Sequence, residues 1–294
     1  MSDLDFSKTI PGRIAEVARP AQSPIYNAAV AMNFFRAAGK SEEIAQGATL
    51  FAENDKTGGL FSKGDKMYLL LEGEVAVSAG GKELGSVKVG EIFGEMAALT
   101  QQPRSATATA KTRCRIVSID GKQFQAGLQQ APEFALMLMS IMILRLRQTA
   151  ARLRASSALS VGDLSKASSV FDKKLMTGLQ RLMHEREPVR FAAGRAIMKE
   201  GDTGALMYIV LEGTVAIAIQ TKVVERVGPG GFFGEMALVD QSPRSASATA
   251  ETDCALLGMN RNDLLALVKT SPAFGMSLLK AIADRLAFMT SQFR

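Results

Sequence analysis

Tryptophan is absent from this 294-residue sequence, and histidine occurs once, as His184. One imidazole cannot build a metal site of the several-histidine kind. Nor does any serine have a histidine near it in sequence to act as a base, Ser105 and Ser245 included. No catalytic residue, no metal ligand and no cofactor are therefore expected, and the chain is not expected to be an enzyme. Cysteine is almost as scarce. Cys114 and Cys254 stand 140 residues apart, in equivalent slots of two similar segments, which points to two buried core thiols and not to a disulfide. Long apolar runs are also lacking. The longest, FALMLMSIMIL at 134–144, ends against Arg145 and Arg147 and is too short to span a bilayer. The start, MSDLDFSKTIPGR, carries no apolar signal segment. A cytoplasmic location with no membrane partner is expected. Basic blocks are missing too: the net charge is +6, but lysine and arginine are spread along the chain, as on a solvated surface.

What is present is a globular composition, 47% hydrophobic and 22% charged, with room for about two domains. The sequence repeats itself. GEMAALTQQPRSATATA at 94–110 returns as GEMALVDQSPRSASATA at 234–250, MYLLLEGEVAV at 67–77 as MYIVLEGTVAI at 207–217, and PEFALMLMSIMILRL at 132–146 as PAFGMSLLKAIADRL at 272–286. The offset is 140 throughout; upstream, FAEND at 51–55 pairs with MKEGD at 198–202 at an offset of 147. The first copy thus carries seven extra residues within DKTGGLFSKGDK. Two long units of this kind form a tandem duplication, each able to close its own core.

Within each copy, short runs rich in Val, Ile, Leu and Tyr alternate with glycine-containing turns. Several short antiparallel strands are implied, hence a jelly roll or barrel flanked by helices: a mainly β fold with α. Residues 26–46 and 172–187 are expected to be lead-in helices, and a helix should follow Pro132 and Pro272. The expected division is an arm over 1–25, a first domain over 26–155, a Ser-rich linker over 156–170 and a second domain over 171–294. In the helix over 133–155, Met139, Met142, Leu146, Thr149 and Leu153 recur at spacings of three and four, answered by Leu279, Ile282, Leu286, Met289 and Phe293. Such a stripe suits either an intrachain core face or a homodimer seam; a homodimer is expected.

The repeated stretch carries the chemistry. Gly94 and Gly234 let backbone approach a ligand without a Cβ in the way. The helix turn that follows, Glu95, Met96 and Ala97 or Glu235, Met236 and Ala237, offers unpaired N–H groups to an anion. Arg104 and Arg244 bring a planar fork that suits phosphate oxygens, and Ser105 and Ser245 add hydroxyls at the same bend. The alanines that follow leave space on one strand face. Glu95 and Glu235 would repel a phosphate, so they are expected to accept from another group, such as a sugar hydroxyl. A salt bridge from Glu95 to Arg104 would explain one copy; repetition of Gly, Glu, Pro, Arg and Ser among diverged neighbours favours a ligand.

These residues resemble the phosphate-binding cassette of the cyclic-nucleotide-binding domain family, in FGEMAALTQQPRSATA and FGEMALVDQSPRSASA, with MYLLLEGEV and the closing RL helix in support. The resemblance covers about 47–155 and 190–294. It implies that Arg104 and Arg244 bind a cyclic phosphate and that Glu95 and Glu235 bind the ribose 2′-hydroxyl. Backbone around Gly94, Met96 and Ala97, and around their equivalents, would complete each cradle, with Val77 and Val87, or Ile217 and Val227, facing the base. The implied ligand is cAMP, with cGMP as the lesser choice, and the implied function is a receptor that signals to an effector protein through a lid helix. The first copy departs from the family pattern at Asn54, where glycine is usual, and in its insertion. DNA binding would need a helix-turn-helix, for which neither 156–190 nor the eight residues after Leu286 leave room. The other reading is an oligomeric scaffold whose pockets are degenerate or hold a different ligand, such as cyclic di-GMP. If the arginines serve only a bound anion, their removal should leave the ligand-free fold unchanged.

Overall fold

A computed structural model describes residues 26–56, 66–100, 102–155, 170–182 and 186–291. Copy one opens with α1 (Ala28–Ala38), capped by the Asn27 side chain, which accepts from the N–H groups of Ala29 and Val30. Eight strands follow: β1 (Lys40–Ile44), β2 (Thr49–Phe51), β3 (Met67–Glu72), β4 (Val75–Ala79), β5 (Lys82–Val87), β6 (Ile92–Phe93), then the short helix α2 (Glu95–Thr100), β7 (Thr107–Ala110) and β8 (Cys114–Ile119). Helices α3 (Gly121–Gln130) and α4 (Pro132–Ala155) close the copy. Copy two repeats the order with α5 (Lys173–Leu182), β9 (Val189–Phe191), β10 (Ala196–Met198), β11 (Met207–Glu212), β12 (Val215–Ile219), β13 (Lys222–Val227), β14 (Phe232–Phe233), α6 (Glu235–Asp240), β15 (Ser247–Ala250), β16 (Cys254–Met259), α7 (Arg261–Thr270) and α8 (Pro272–Ser291). The lead-in helix expected over 26–46 stops at Ala38. Residues 40–44 instead form β1, because Lys40–Ile44 finds a full antiparallel partner in β8.

Each copy stacks two four-stranded antiparallel sheets, β1-β8-β3-β6 on β2-β7-β4-β5, and β9-β16-β11-β14 on β10-β15-β12-β13. The arrangement is a sandwich and not a closed barrel, so the jelly roll expected from the turns stands while closure does not. The near-continuous apolar run of β3 follows from burial on both faces. Met67 and Leu69 point to a helical layer and Tyr68 and Leu70 to the sandwich interior, the period-two alternation of a strand. Strand β8 divides the same way, Val117 and Ile119 to the helices, Cys114 and Ile116 to the interior. Both cysteines are buried free thiols, as their paired slots predict.

The helical layers of the two copies share one core. Phe34, Phe124 and Phe134 of copy one belong to the same buried cluster as Phe171, Phe232 and Phe274 of copy two. At its centre α4 packs on α8. Met139, Met142 and Leu146, with Leu279, Ile282 and Leu286, are all buried there. At those positions the stripe that suggested a homodimer over 133–155 is therefore buried within its own chain, in the core that α4 and α8 share. Thr149, Leu153, Met289 and Phe293 lie among side chains outside those described, as does His184. Among the described residues no single helix is long and apolar enough to cross a membrane.

Candidate functional site

Each cassette begins where a strand meets a short helix. Gly94 (φ 76°) and Gly234 (φ 81°) sit in the left-handed region, which glycine enters without steric cost. Space is a second reason for glycine. A Cβ would come within 3.0 Å of Arg104 Nη1 at residue 94 and within 2.8 Å of Arg244 Nη1 at residue 234. The guanidinium is thus laid directly against the glycine.

Both arginines are buried, with 3% and 6% of their surface exposed. Arg104 donates from Nη1 to the Gly94 carbonyl at 2.8 Å and from Nη2 to the Lys66 carbonyl at 2.8 Å. Arg244 repeats this on the carbonyls of Gly234 (2.8 Å) and Leu206 (2.7 Å). The guanidinium of Arg104 also lies over the Phe51 ring, 4.3 Å from its centroid, a cation–π contact. Burial pulls the Arg244 guanidinium below its ordinary range, with Tyr208, Glu235 and Asp202 pulling back. The arginines therefore also serve the ligand-free fold, contrary to the expectation that only a bound anion uses them.

Glu95 and Glu235 open α2 and α6 and are buried. The carboxylate of Glu95 accepts from Arg145 Nη1 of α4 at 2.7 Å. Glu235 accepts from Arg285 Nη1 of α8 at 3.0 Å. Arg285 donates further to Glu225 (2.9 Å) and to the Phe232 carbonyl (2.9 Å) and lies over the Phe232 ring. Burial pushes the Glu235 carboxyl above its ordinary range, against the opposing pull of Arg285. Arg285 is held above its own ordinary range by Glu225 and Glu235, although burial works the other way. Each acid of the cassette is thus tied to the long helix that closes its copy.

The remaining residues sort by register. Ala97 and Ala237 are buried and Met96 and Met236 half-buried; Ser105 is exposed, while Ser245 is half-buried and donates to the Met236 sulfur at 3.3 Å. Val77 lies opposite Ala108, and Ile217 opposite Ala248, so the small residues of β7 and β15 leave room beside them. Val87 and Val227 are in the sandwich core, opposite Val75 and Val215. Asn54 keeps the geometry of the glycine that holds its place in copy two. Its φ is 66° against 87° at the aligned Gly201, and each donates its N–H to the carbonyl of its cassette arginine, at 2.8 and 2.9 Å. Asparagine is among the few other residues that enter this region readily. The seven-residue insertion falls largely in 57–65, outside the described residues.

Sequence reasoning missed Arg145, Arg285, Glu225 and Phe51. Arg145 and Arg285 did leave a signal, since both occupy one slot of the repeated RL helix. Glu225 left none, because its counterpart is Gly85. Gly204 was missed too: a Cβ there would collide with the Arg244 guanidinium.

Comparison with known proteins matches residues 41–131 and 188–271 to one family, described as the cyclic nucleotide-binding domain. A cyclic nucleotide-gated potassium channel of Rhizobium etli is 34% identical over 122 residues, 42% of this chain and 34% of the channel. A cyclic AMP receptor protein of Thermus thermophilus is 38% identical over 101 residues, 33% of this chain and 47% of the receptor. The chain thus spans between a third and a half of the length of these relatives. Among solved structures, the regulatory domain of Toxoplasma gondii PKA, co-crystallised with cAMP, is 22% identical with a TM-score of 0.30, covering 94% of this chain and 98% of that one.

Proposed function

This chain belongs to the cyclic nucleotide-binding domain family, with two tandem copies in one polypeptide, and from that we propose that it is a receptor binding one cAMP in each cassette. The observation that carries the reading is the twin constellation. In both copies a buried arginine fork lies against a left-handed glycine, and a buried glutamate opens the adjacent helix turn. Arg104 and Arg244 would turn their forks to the cyclic phosphate, helped by the N–H groups around Met96, Ala97, Met236 and Ala237 and by the hydroxyls of Ser105 and Ser245. Glu95 and Glu235 would accept the ribose 2′-hydroxyl. Val77 and Val87, with Ile217 and Val227, would form the apolar wall for the base. The units would be 26–155 and 171–294, joined through 156–170. The reading is of a binding protein and not an enzyme. Two buried free thiols suit a reducing, cytoplasmic setting.

The signal would leave through the long helices. A ligand that takes up Glu95 changes what that carboxylate offers Arg145, and so biases the position of α4; Glu235, Arg285 and α8 stand in the same relation. Ligand binding would then shift a population of helix positions, and an effector protein would sense the change. A calorimetric titration with cAMP, cGMP and cyclic di-GMP tests this. Two cAMP per chain, bound more tightly than the other two, is the expected result. No binding of any of the three would replace the receptor by a scaffold.

A further inference from the structure

We propose that Arg147 of copy one is a positioning residue for the site of copy two, holding the turn that delivers Arg244; this rests on the receptor reading. Arg147 reaches out of α4 to Asp240, the last residue of α6. Its Nε donates to Oδ2 at 2.6 Å and its Nη2 to Oδ1 at 3.1 Å. This is a two-pronged, charge-assisted pair with fixed geometry, and the Asp240 side chain is only 5% exposed. Asp240 Oδ1 also accepts the Ser242 N–H at 3.0 Å. Gln241 between them is left-handed, with φ 56°, and Pro243 and Arg244 follow at once. Glu235 begins the same helix. One carboxylate, gripped from the other copy, therefore fixes the segment that runs from the glutamate of site two to its arginine.

Copy two does not return this contact. The slot of Asp240 is Thr100 in copy one, whose hydroxyl donates to the Met96 carbonyl at 2.9 Å and accepts the Gln102 N–H at 3.3 Å. The slot of Arg147 is Ala287 in copy two, whose methyl group has no donor to offer. At these two slots the support across copies is therefore ionic in one direction only. It also ties the sites together. Residues 145 and 147 lie about 200° apart around a helix, so α4 presents Arg145 to Glu95 on one side and Arg147 to Asp240 on the other.

The test uses the full chain and cAMP, with Arg104→Ala as the background that reports site two and Arg244→Ala as the one that reports site one. Arg147→Gln should weaken site two by roughly 5- to 20-fold, the scale for a residue acting through a packed network on a site it does not touch, and leave site one unchanged. Arg147→Lys, which keeps charge but not the fork, should fall between. Asp240→Asn should match Arg147→Gln, and the double variant should be no weaker than either single one. A merely structural role would lower both sites together or only the melting temperature. Equal loss at both sites, no loss at site two, or additive losses in the double variant would overturn the inference. A wild-type chain that binds no cAMP would remove the receptor reading, and this inference with it; a wild-type chain that binds normally while Arg147→Gln matches it at site two overturns this inference alone.

Discussion

Glu95 and Glu235 occupy the same slot of their copies, but different charge surrounds them. Glu95 pairs with the buried Arg145. At Glu235 a second carboxylate, Glu225, shares Arg285, and burial leaves the Glu235 carboxyl above its ordinary range. An acid whose folded pKa is raised favours the folded state most when protonated. Its contribution is full below the unfolded value and is lost as pH rises through the raised one. Ionising Glu235 is thus a cost to the ligand-free fold. Glu235→Gln should leave the melting temperature unchanged or higher. Glu95→Gln should lower it, since taking a carboxylate from a buried ion pair costs about 3–5 kcal/mol. Both variants should bind cAMP more weakly, by about 1.5–3 kcal/mol for a hydrogen bond to a charged group. Melting curves with equal effects on stability would refute the asymmetry. The same shift makes ligand binding at site two acid-sensitive: its affinity should fall as pH drops through the raised value, above the ordinary carboxylate range, and Glu235→Gln should abolish that dependence. Arg244 belongs to both states. Arg244→Ala should cost about 2–5 kcal/mol of binding at site two, and also ligand-free stability, by at most about 1–3 kcal/mol for each of the two half-buried carbonyls it leaves without its donor. A ligand-free melt identical to the wild type would show that the carbonyls of Gly234 and Leu206 find other donors.

At the scale of elements, the strands and the cassettes were legible and the connections between them were not. The alternation of Met67, Tyr68, Leu69 and Leu70 says that both faces of β3 are apolar; that one faces helices and the other a sandwich core is decided by what packs there. The cassettes could be found because the repeat filters chance: Gly, Glu, Pro, Arg and Ser recur together while their neighbours drift. Arg145 recurs as faithfully, yet its partner lies fifty residues upstream, a separation no helical spacing encodes. Residues 40–44 misled for a related reason, since Lys-Ser-Glu-Glu-Ile carries polar residues at ease in a helix, and only the open edge of β8 makes them a strand. The Glu–Arg ties give α4 and α8 a measurable role. Hydrogen exchange with and without cAMP should differ in 140–148 and 280–288, the turns carrying Arg145 and Arg285. It should change little in β9 and β16, where Cys254, Ala255 and Leu256 pair with Val189–Phe191 away from the cassette. Unaltered exchange in both helices at saturating ligand would mean that the signal leaves by another route.

For the molecule as a whole, the duplication places inside one chain a pairing of helices that a single copy could obtain only from a second molecule. The stripes of α4 and α8 are buried in one core, and each fully buried Leu, Ile or Met in them contributes about 1.5–3 kcal/mol. Met139, Met142, Leu146, Leu279, Ile282 and Leu286 alone thus make the junction comparable to the net stability of a domain, about 5–15 kcal/mol. Two consequences can be measured. First, the apolar seam is already buried at its six described positions, so sedimentation should give the mass of one chain, 31.4 kDa; a dimer that Leu146→Asp breaks would show that the helices prefer an exchange between chains. Second, the sandwich interiors are separate clusters while the helical core is common to both copies, so neither copy can lose its helices without exposing the core of the other. Calorimetry should therefore show a single unfolding transition whose calorimetric and van't Hoff enthalpies agree. Blocking site one by Arg104→Ala should still allow cAMP at site two to raise that one transition, by the mass-action term for a ligand bound only to the native state. Two resolved transitions, with cAMP moving only the one that belongs to the occupied copy, would mean that the shared core does not couple the halves.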